Sequence, residues 1–111
     1  MTVTAKTLVE SQAMPASATT YYTAPTGTRT YIDKLTATNT TGSPITVTVN
    51  LVPAAGSAAT ANVITSAQAI AAGQVYSFPE IVGHVLNAGD FISVTPSAVG
   101  VNLRASGREM Q

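Results

Sequence analysis

A chain of 111 residues with five Lys/Arg, five Asp/Glu and a formal net charge of zero has the size of one domain. It has no Cys, which removes disulfides, thiolate metal sites and Cys nucleophiles together. Its five cations, Lys6, Arg29, Lys34, Arg104 and Arg108, are scattered along the sequence and form no basic stripe, so nucleic acid is not an expected partner.

The segment MTVTAKTLVE lacks the charged start and apolar core of a signal peptide, and no apolar run approaches the ~20 residues that span a bilayer. Synthesis in the cytoplasm and no membrane partner are therefore expected. Large side chains are few, with no Trp and two Phe, and much of the apolar content is Ala. A small core of this kind predicts added stability from self-association or a larger partner, and sparse charge suits a protein that works in an assembly.

In chain order, residues 2–10 alternate loosely, Val3, Ala5 and Thr7 against Thr4, Lys6 and Leu8. This fits a first strand and fits equally an extended arm laid on a neighbour. Residues 1–17, closed by SQAMPAS with Pro15, are the candidate N-terminal arm. Residues 18–24 (ATTYYTA) predict a short strand with Tyr21 and Tyr22 on opposite faces, and Pro25-Thr26-Gly27 a turn. Residues 28–52 predict a β-hairpin. Its second limb alternates strictly, Ile45, Val47, Val49 and Leu51 against Thr46, Thr48 and Asn50, the period of a half-buried strand. Thr41-Gly42-Ser43-Pro44 supplies the turn between the limbs.

Residues 53–61 (PAAGSAATA) read as a small-residue loop, 62–70 as a strand, Ala71-Ala72-Gly73 as a turn and 74–78 as a strand ended by Pro79. Residues 80–86 (EIVGHVL) place Ile81, Val82, Val85 and Leu86 at helical offsets and predict one helical turn. After the turn at residues 87–90 come the strands 91–95 and 99–105. The second of these alternates Val99, Val101, Leu103 and Ala105, and residues 96–98 read as a hairpin loop. The polar tail, residues 106–111, is expected to fray. Seven or eight short strands with turns every 8–12 residues predict an all-β, two-sheet β-sandwich, jelly-roll or immunoglobulin-like. The Cys pair and core Trp of the immunoglobulin type are absent.

No residue set meets the requirements of catalysis. His84, the single His, would need an orienting carboxylate and a nucleophile, and Glu80 and Asp90 form no motif with it. One His without Cys leaves only carboxylates for Zn²⁺, and Asp33 and Asp90 lie too far apart in sequence for a Ca²⁺ loop. Each turn Gly stands alone, without a phosphate-loop pattern. Asn39-Thr40-Thr41 fits a glycosylation acceptor by chance in a Thr-rich chain. The Tyr21–Tyr22 pair is divided between core and partner contact, because Tyr is favoured at interfaces. No enzyme activity, catalytic residue, cofactor or metal is expected.

Three runs carry a resemblance to a known family. They are YYTAPTGTRTYIDKLTATNTTGSPITVTVNLVP, AIAAGQVYSFPEIVGHVLNAGDFISV and VNLRASGRE. The carriers include Tyr22, Pro25, Gly27, Ile32, Leu35, Asn39, Val47, Val49, Gly73, Leu86, Gly89, Asp90, Ile92, Ser106 and Gly107. Over residues 20–109 the chain resembles the capsid cement (decoration, or stapling) proteins of short-tailed bacteriophages of the epsilon15 type. The resemblance implies a jelly-roll sandwich and a homodimer on the outer capsid surface of the virion. There it would staple neighbouring subunits of the major capsid protein. A phage fibre, connector, or carbohydrate- or receptor-binding module is the alternative. The expected partner contacts are Val3, Lys6 and Leu8 on the arm, which would order on the capsid or across the dimer, together with Tyr21 and Tyr22.

Overall fold

The computed structural model describes residues 2–111. Nine strands form two antiparallel sheets: β1 Val3–Ala13, β2 Thr19–Thr23, β3 Arg29–Asn39, β4 Ile45–Val52, β5 Val63–Ile70, β6 Val75–Ser77, β7 Val85–Leu86, β8 Phe91–Pro96 and β9 Val101–Met110. A 3₁₀ turn at Thr60–Asn62 precedes β5. The first sheet has the order β1-β9-β3-β6, with β7 also on β3, and the second has the order β2-β8-β4-β5.

The pairs β1/β9, β2/β8, β3/β6 and β4/β5 are all antiparallel. The chain is thus one long hairpin, β1 to β4 outward and β5 to β9 back, wound so that its rungs fall alternately in the two sheets. That winding is a jelly roll, and the fold is an all-β sandwich as expected. The inner faces meet in a single core containing Ile32, Leu35, Val47, Val49, Phe78, Ile81, Ile92, Val94 and Leu103, all buried. Each such side chain contributes on the order of 1.5–3 kcal/mol when it leaves water.

The expected hairpin over residues 28–52 is corrected. β3 and β4 lie in opposite sheets, each with better neighbours: β9 beside β3, and β8 and β5 beside β4. An alternating pattern reports that one face is buried. It does not say whether the next strand lies beside it or across the core. Asn39, fully buried, builds the corner instead. Its Nδ2 donates to the Ser43 and Ile70 carbonyls at 2.7 and 3.0 Å. Its Oδ1 accepts from the Thr41 amide and hydroxyl at 2.9 and 2.7 Å. A glycan cannot be attached there without unmaking this corner.

The expected hairpin at residues 96–98 is corrected in the same way, because β8 and β9 also change sheets. Exposed Val99 lies outside the strand, in the connection. The two corners meet where the Thr40 amide and hydroxyl donate to the Gly100 carbonyl, at 2.9 and 2.8 Å. Gly100 has φ +111°, and a Cβ there would lie 2.2 Å from the Thr41 methyl, so this contact requires glycine.

Bulges account for other departures. In β2, Thr20 faces Ser93 and Tyr22 faces Ile92, which leaves Tyr21 as the extra residue. Tyr21 and Tyr22 therefore both pack against the core, not on opposite faces. In β1, Thr7 faces Ser106 and Val9 faces Ala105, so Leu8 is extra, and Leu8 and Val9 are both buried. In β3, Ile32 faces Gly107 and Lys34 faces Ser106, which makes Asp33 extra. Both neighbours of β9 thus bulge beside Ser106, β1 opposite Ala105–Ser106 and β3 opposite Ser106–Gly107. A Cβ on Gly107 would lie 2.1 Å from the Tyr31 carbonyl oxygen and 2.9 Å from Leu8 Cδ1, so the sheet closes there only around glycine.

The N-terminal segment, whose sequence fits a first strand and an arm equally, is the strand, and the arm is corrected: Val3–Ala13 is the edge strand of the first sheet, paired with β9. Buried Leu8, Val9 and Met14 hold it in the core. Met1 lies outside the described residues. The tail does not fray, because β9 continues to Met110. The helical turn expected over 80–86 is corrected: a hydrogen-bonded turn begins earlier, with the Ile81 and Val82 amides donating to the Phe78 carbonyl, and Val85–Leu86 form β7. It stops because the next residues return to β3: the Gly83 amide donates to the Ile32 carbonyl, and Val85 pairs with Tyr31. Among the described residues no helix is long and apolar enough to cross a membrane.

Candidate interaction surfaces

The expected contact residues divide sharply. Val3 and Lys6 are exposed on β1. Leu8 and Tyr22 are buried, at 7% and 8% exposure, and cannot carry a partner contact without opening the sandwich. Tyr21 is half-buried against the core, and its hydroxyl has no hydrogen-bond partner among the described residues.

Tyr22 belongs to a polar tie between the sheets. Its hydroxyl lies 2.8 Å from the Thr30 hydroxyl and donates to Glu109. Glu109, on the inner side of β9, also accepts from Lys6 Nζ at 3.2 Å. The Glu109 carboxylate joins β1, β2 and β9, and the Tyr22 hydroxyl adds Thr30 of β3. The Tyr22 hydroxyl, with help from Lys6, holds the Glu109 carboxyl below its usual range despite burial. Burial, and then the bond to Glu109, pushes the Tyr22 phenol up to about 12. Glu109 had a sequence signal. The alternation Val101, Leu103, Ala105 continues through Gly107 to Glu109, all buried.

A second tie gathers Glu80, which accepts from the Thr65 hydroxyl and from the Tyr76 hydroxyl at 3.1 Å. Burial pushes this carboxyl up, but the Thr65 hydroxyl, its own backbone amide and Tyr76 together outweigh burial and leave it lowered. Tyr76 in turn meets Phe78 edge to face, with ring centroids 4.7 Å apart. Asp90 caps a turn, accepting from the Ala54 and Asn87 amides at 3.0 Å each. His84 is exposed and joins neither carboxylate, and no group of three His, Asp or Glu side chains among the described residues could hold a metal ion.

The strands of the two sheets differ in charge. The strands of the first sheet carry Lys6, Glu10, Arg29, Asp33, Lys34, Arg104, Arg108 and Glu109, eight of the ten charged residues of the chain. The strands of the second carry none. On the first sheet Arg108 makes a two-pronged pair with Asp33 at 3.1–3.2 Å and lies 5.4 Å above the Tyr31 ring. On the second, the loop after β4 covers one end, where Asn50 Nδ2 donates to the Ala59 carbonyl and Asn62 Oδ1.

No protein-family model matches the chain, and no curated protein matches it. Two solved structures are similar in fold. One is from work on Bacillus endospore appendages, described as a novel family of disulfide-linked pili. It is 14% identical, with 99% of this chain and 88% of that one covered, at a TM-score of 0.55. The other is from infectious bursal disease virus, Gx strain. It is 14% identical, with 97% of this chain and 32% of that one covered, at a TM-score of 0.51. The chain therefore spans about a third of the viral chain's length. Neither is a phage cement protein. At this identity the likeness establishes the sandwich fold alone, and a chain without Cys has no means of disulfide linkage.

Proposed function

We propose that the chain is a structural virion protein that binds the outside of a tailed-phage capsid as a homodimer and staples neighbouring major capsid subunits. It would do so without enzymatic activity or a cofactor. The observation that carries this reading is β1. It is an eleven-residue edge strand with a sheet neighbour, β9, on one side only. A free edge of that length presents a row of backbone donors and acceptors on which another chain can add a strand. The resemblance over residues 20–109 supplies the virion context. The likeness to a viral chain and a pilus chain supports a sandwich suited to repeated assembly.

Two-point attachment by a dimer raises effective concentration by about 10²-fold or more, so a modest interface per copy suffices. The test is co-sedimentation with phage heads that lack the protein, with the solution mass measured alongside. Saturable binding by a dimer, at a simple ratio to the major capsid subunit, is expected. Failure to bind heads would move the assignment to a fibre, connector or receptor-binding role.

A further inference from the structure

The neutral formal charge hides an unequal use of the two signs. Four of the five carboxylates are engaged within the chain: Asp33 by Arg108, Glu80 by Thr65 and Tyr76, Asp90 by two backbone amides, and Glu109 by Tyr22 and Lys6. Among the described residues, Arg29, Lys34 and Arg104 have no carboxylate partner, and Glu10 is the one side-chain carboxylate left without a salt-bridge or hydrogen-bond partner. The three cations share one face. Ile32, Leu35, Ala37, Leu103 and Ala105 point inward, so Lys34 and Arg104 point outward, and Arg29 pairs in register with Met110 at the sheet's end.

Lys34 faces Ser106 and Arg104 faces Thr36, which makes the two cations diagonal neighbours across β3 and β9. A pocket of about 210 Å³ lies between them, next to the Asp33 bulge and lined by Lys34, Thr36, Arg104, Ala105 and Ser106. Two unpaired cations around one concavity, with the Ser106 hydroxyl beside them and the Thr36 hydroxyl donating to the Arg104 carbonyl at 3.4 Å, match a carboxylate. Beside the pocket lie half-buried Tyr31 under Arg108, and exposed Val75 and Val85 on the flanking strands.

We propose that the outer face of the first sheet, centred on the Lys34–Arg104 pocket, docks an acidic protein surface by taking its carboxylate side chains. The mixture favours protein over nucleic acid. Tyr and Arg are enriched at protein interfaces. Three unpaired cations fall short of the roughly 6–10 phosphate contacts of a strong DNA footprint. A second copy of this chain is a poor occupant, because its own carboxylates are already engaged. The inference rests on the assembly reading above and assigns the face and the partner chemistry.

The test is an NMR titration of the labelled full chain with an oligo-glutamate peptide. Saturable shifts at Lys34, Thr36, Arg104 and Ser106, weakened by salt, are expected. The Lys34→Glu/Arg104→Glu variant should lose affinity by about tenfold or more, since each exposed pair contributes modestly. Lys34→Gln/Arg104→Gln should lose less. Shifts elsewhere, or none, would overturn the proposal, as would tighter binding of a DNA duplex than of the peptide at equal salt. Co-sedimentation with phage heads separates the two readings. Undiminished head binding by the charge-reversed variant overturns this face and leaves the stapling role. Peptide binding at this face by a protein that ignores heads removes the stapling role and leaves the face.

Discussion

The first sheet gathers eight charged residues from three strands and bulges on both sides of β9, whereas the strands of the second carry no charge and turn Thr46, Thr48 and Thr95 outward. Both sheets bury their inner faces by the same period of two. They differ in what their outer faces must meet. Bulges bend a strand and re-aim its side chains. In the first sheet the β3 bulge makes Asp33 the extra residue, paired with Arg108, beside the Lys34–Arg104 pocket. The second sheet bulges too, at Tyr21 in β2 and near Ala67 in β5, where Ala67 has φ +46° and its amide donates to the Thr48 hydroxyl at 3.0 Å. The difference shows how one architecture separates a charged sheet from an uncharged one.

The bulge line of the first sheet should be the most sensitive feature. Gly107→Ala drives a methyl into the Tyr31 carbonyl and should cost about 3 kcal/mol or more, at or above the upper end of overpacking effects. Chemical denaturation measures this, and a loss under about 1 kcal/mol would mean that the sheet flexes there. Next comes the corner that joins the two sheets. Asn39→Ala orphans the buried Ile70 carbonyl, removes the part-buried bonds to Ser43 and Thr41, and should cost about 2–3 kcal/mol.

The inter-sheet tie should show in pH dependence. The Glu109 carboxyl lies below its usual 4.5 in the folded chain. The stability it contributes is therefore present above pH 4.5 and lost as pH falls through the lowered value. Tyr22 acts with the opposite sign. Its folded value of about 12 exceeds 10.0, so its contribution is full below pH 10.0 and lost as pH rises through about 12. Denaturation midpoints across pH should fall less steeply in acid for Glu109→Gln, with Glu80 supplying the remaining slope. They should fall less steeply in alkali for Tyr22→Phe. Unchanged slopes would show that the tie does not couple protonation to folding. The smallest effect is expected at Arg108→Ala on the exposed face. Its pair with Asp33 is half-exposed, and stability should change by about 0.5 kcal/mol or less.

The strands themselves were legible, since β2, β4, β5 and β8 fall within a residue or so of the positions that alternation and turn residues predict. The contact residues were less so. Val3 and Lys6 are exposed, but Leu8 is an inward bulge residue and Tyr22 a buried hydrogen-bond donor. A bulge leaves no mark in the alternation beyond one skipped residue. Val99, read into the last strand, is outside it, while Glu109, read into a fraying tail, is part of the core wall.

What the sequence determined alone is the all-β class, the absence of thiol chemistry and most strand positions, because these follow from residue type and a period of two. The tertiary structure decided that β3 and β4, and β8 and β9, part company across the core. It decided that Asn39 and Glu109 serve as internal ties. It also decided that cations as far apart as Arg29 and Arg104 share one face. Those outcomes depend on which strand becomes a neighbour, a choice made by long-range pairing and bulges that no local pattern encodes.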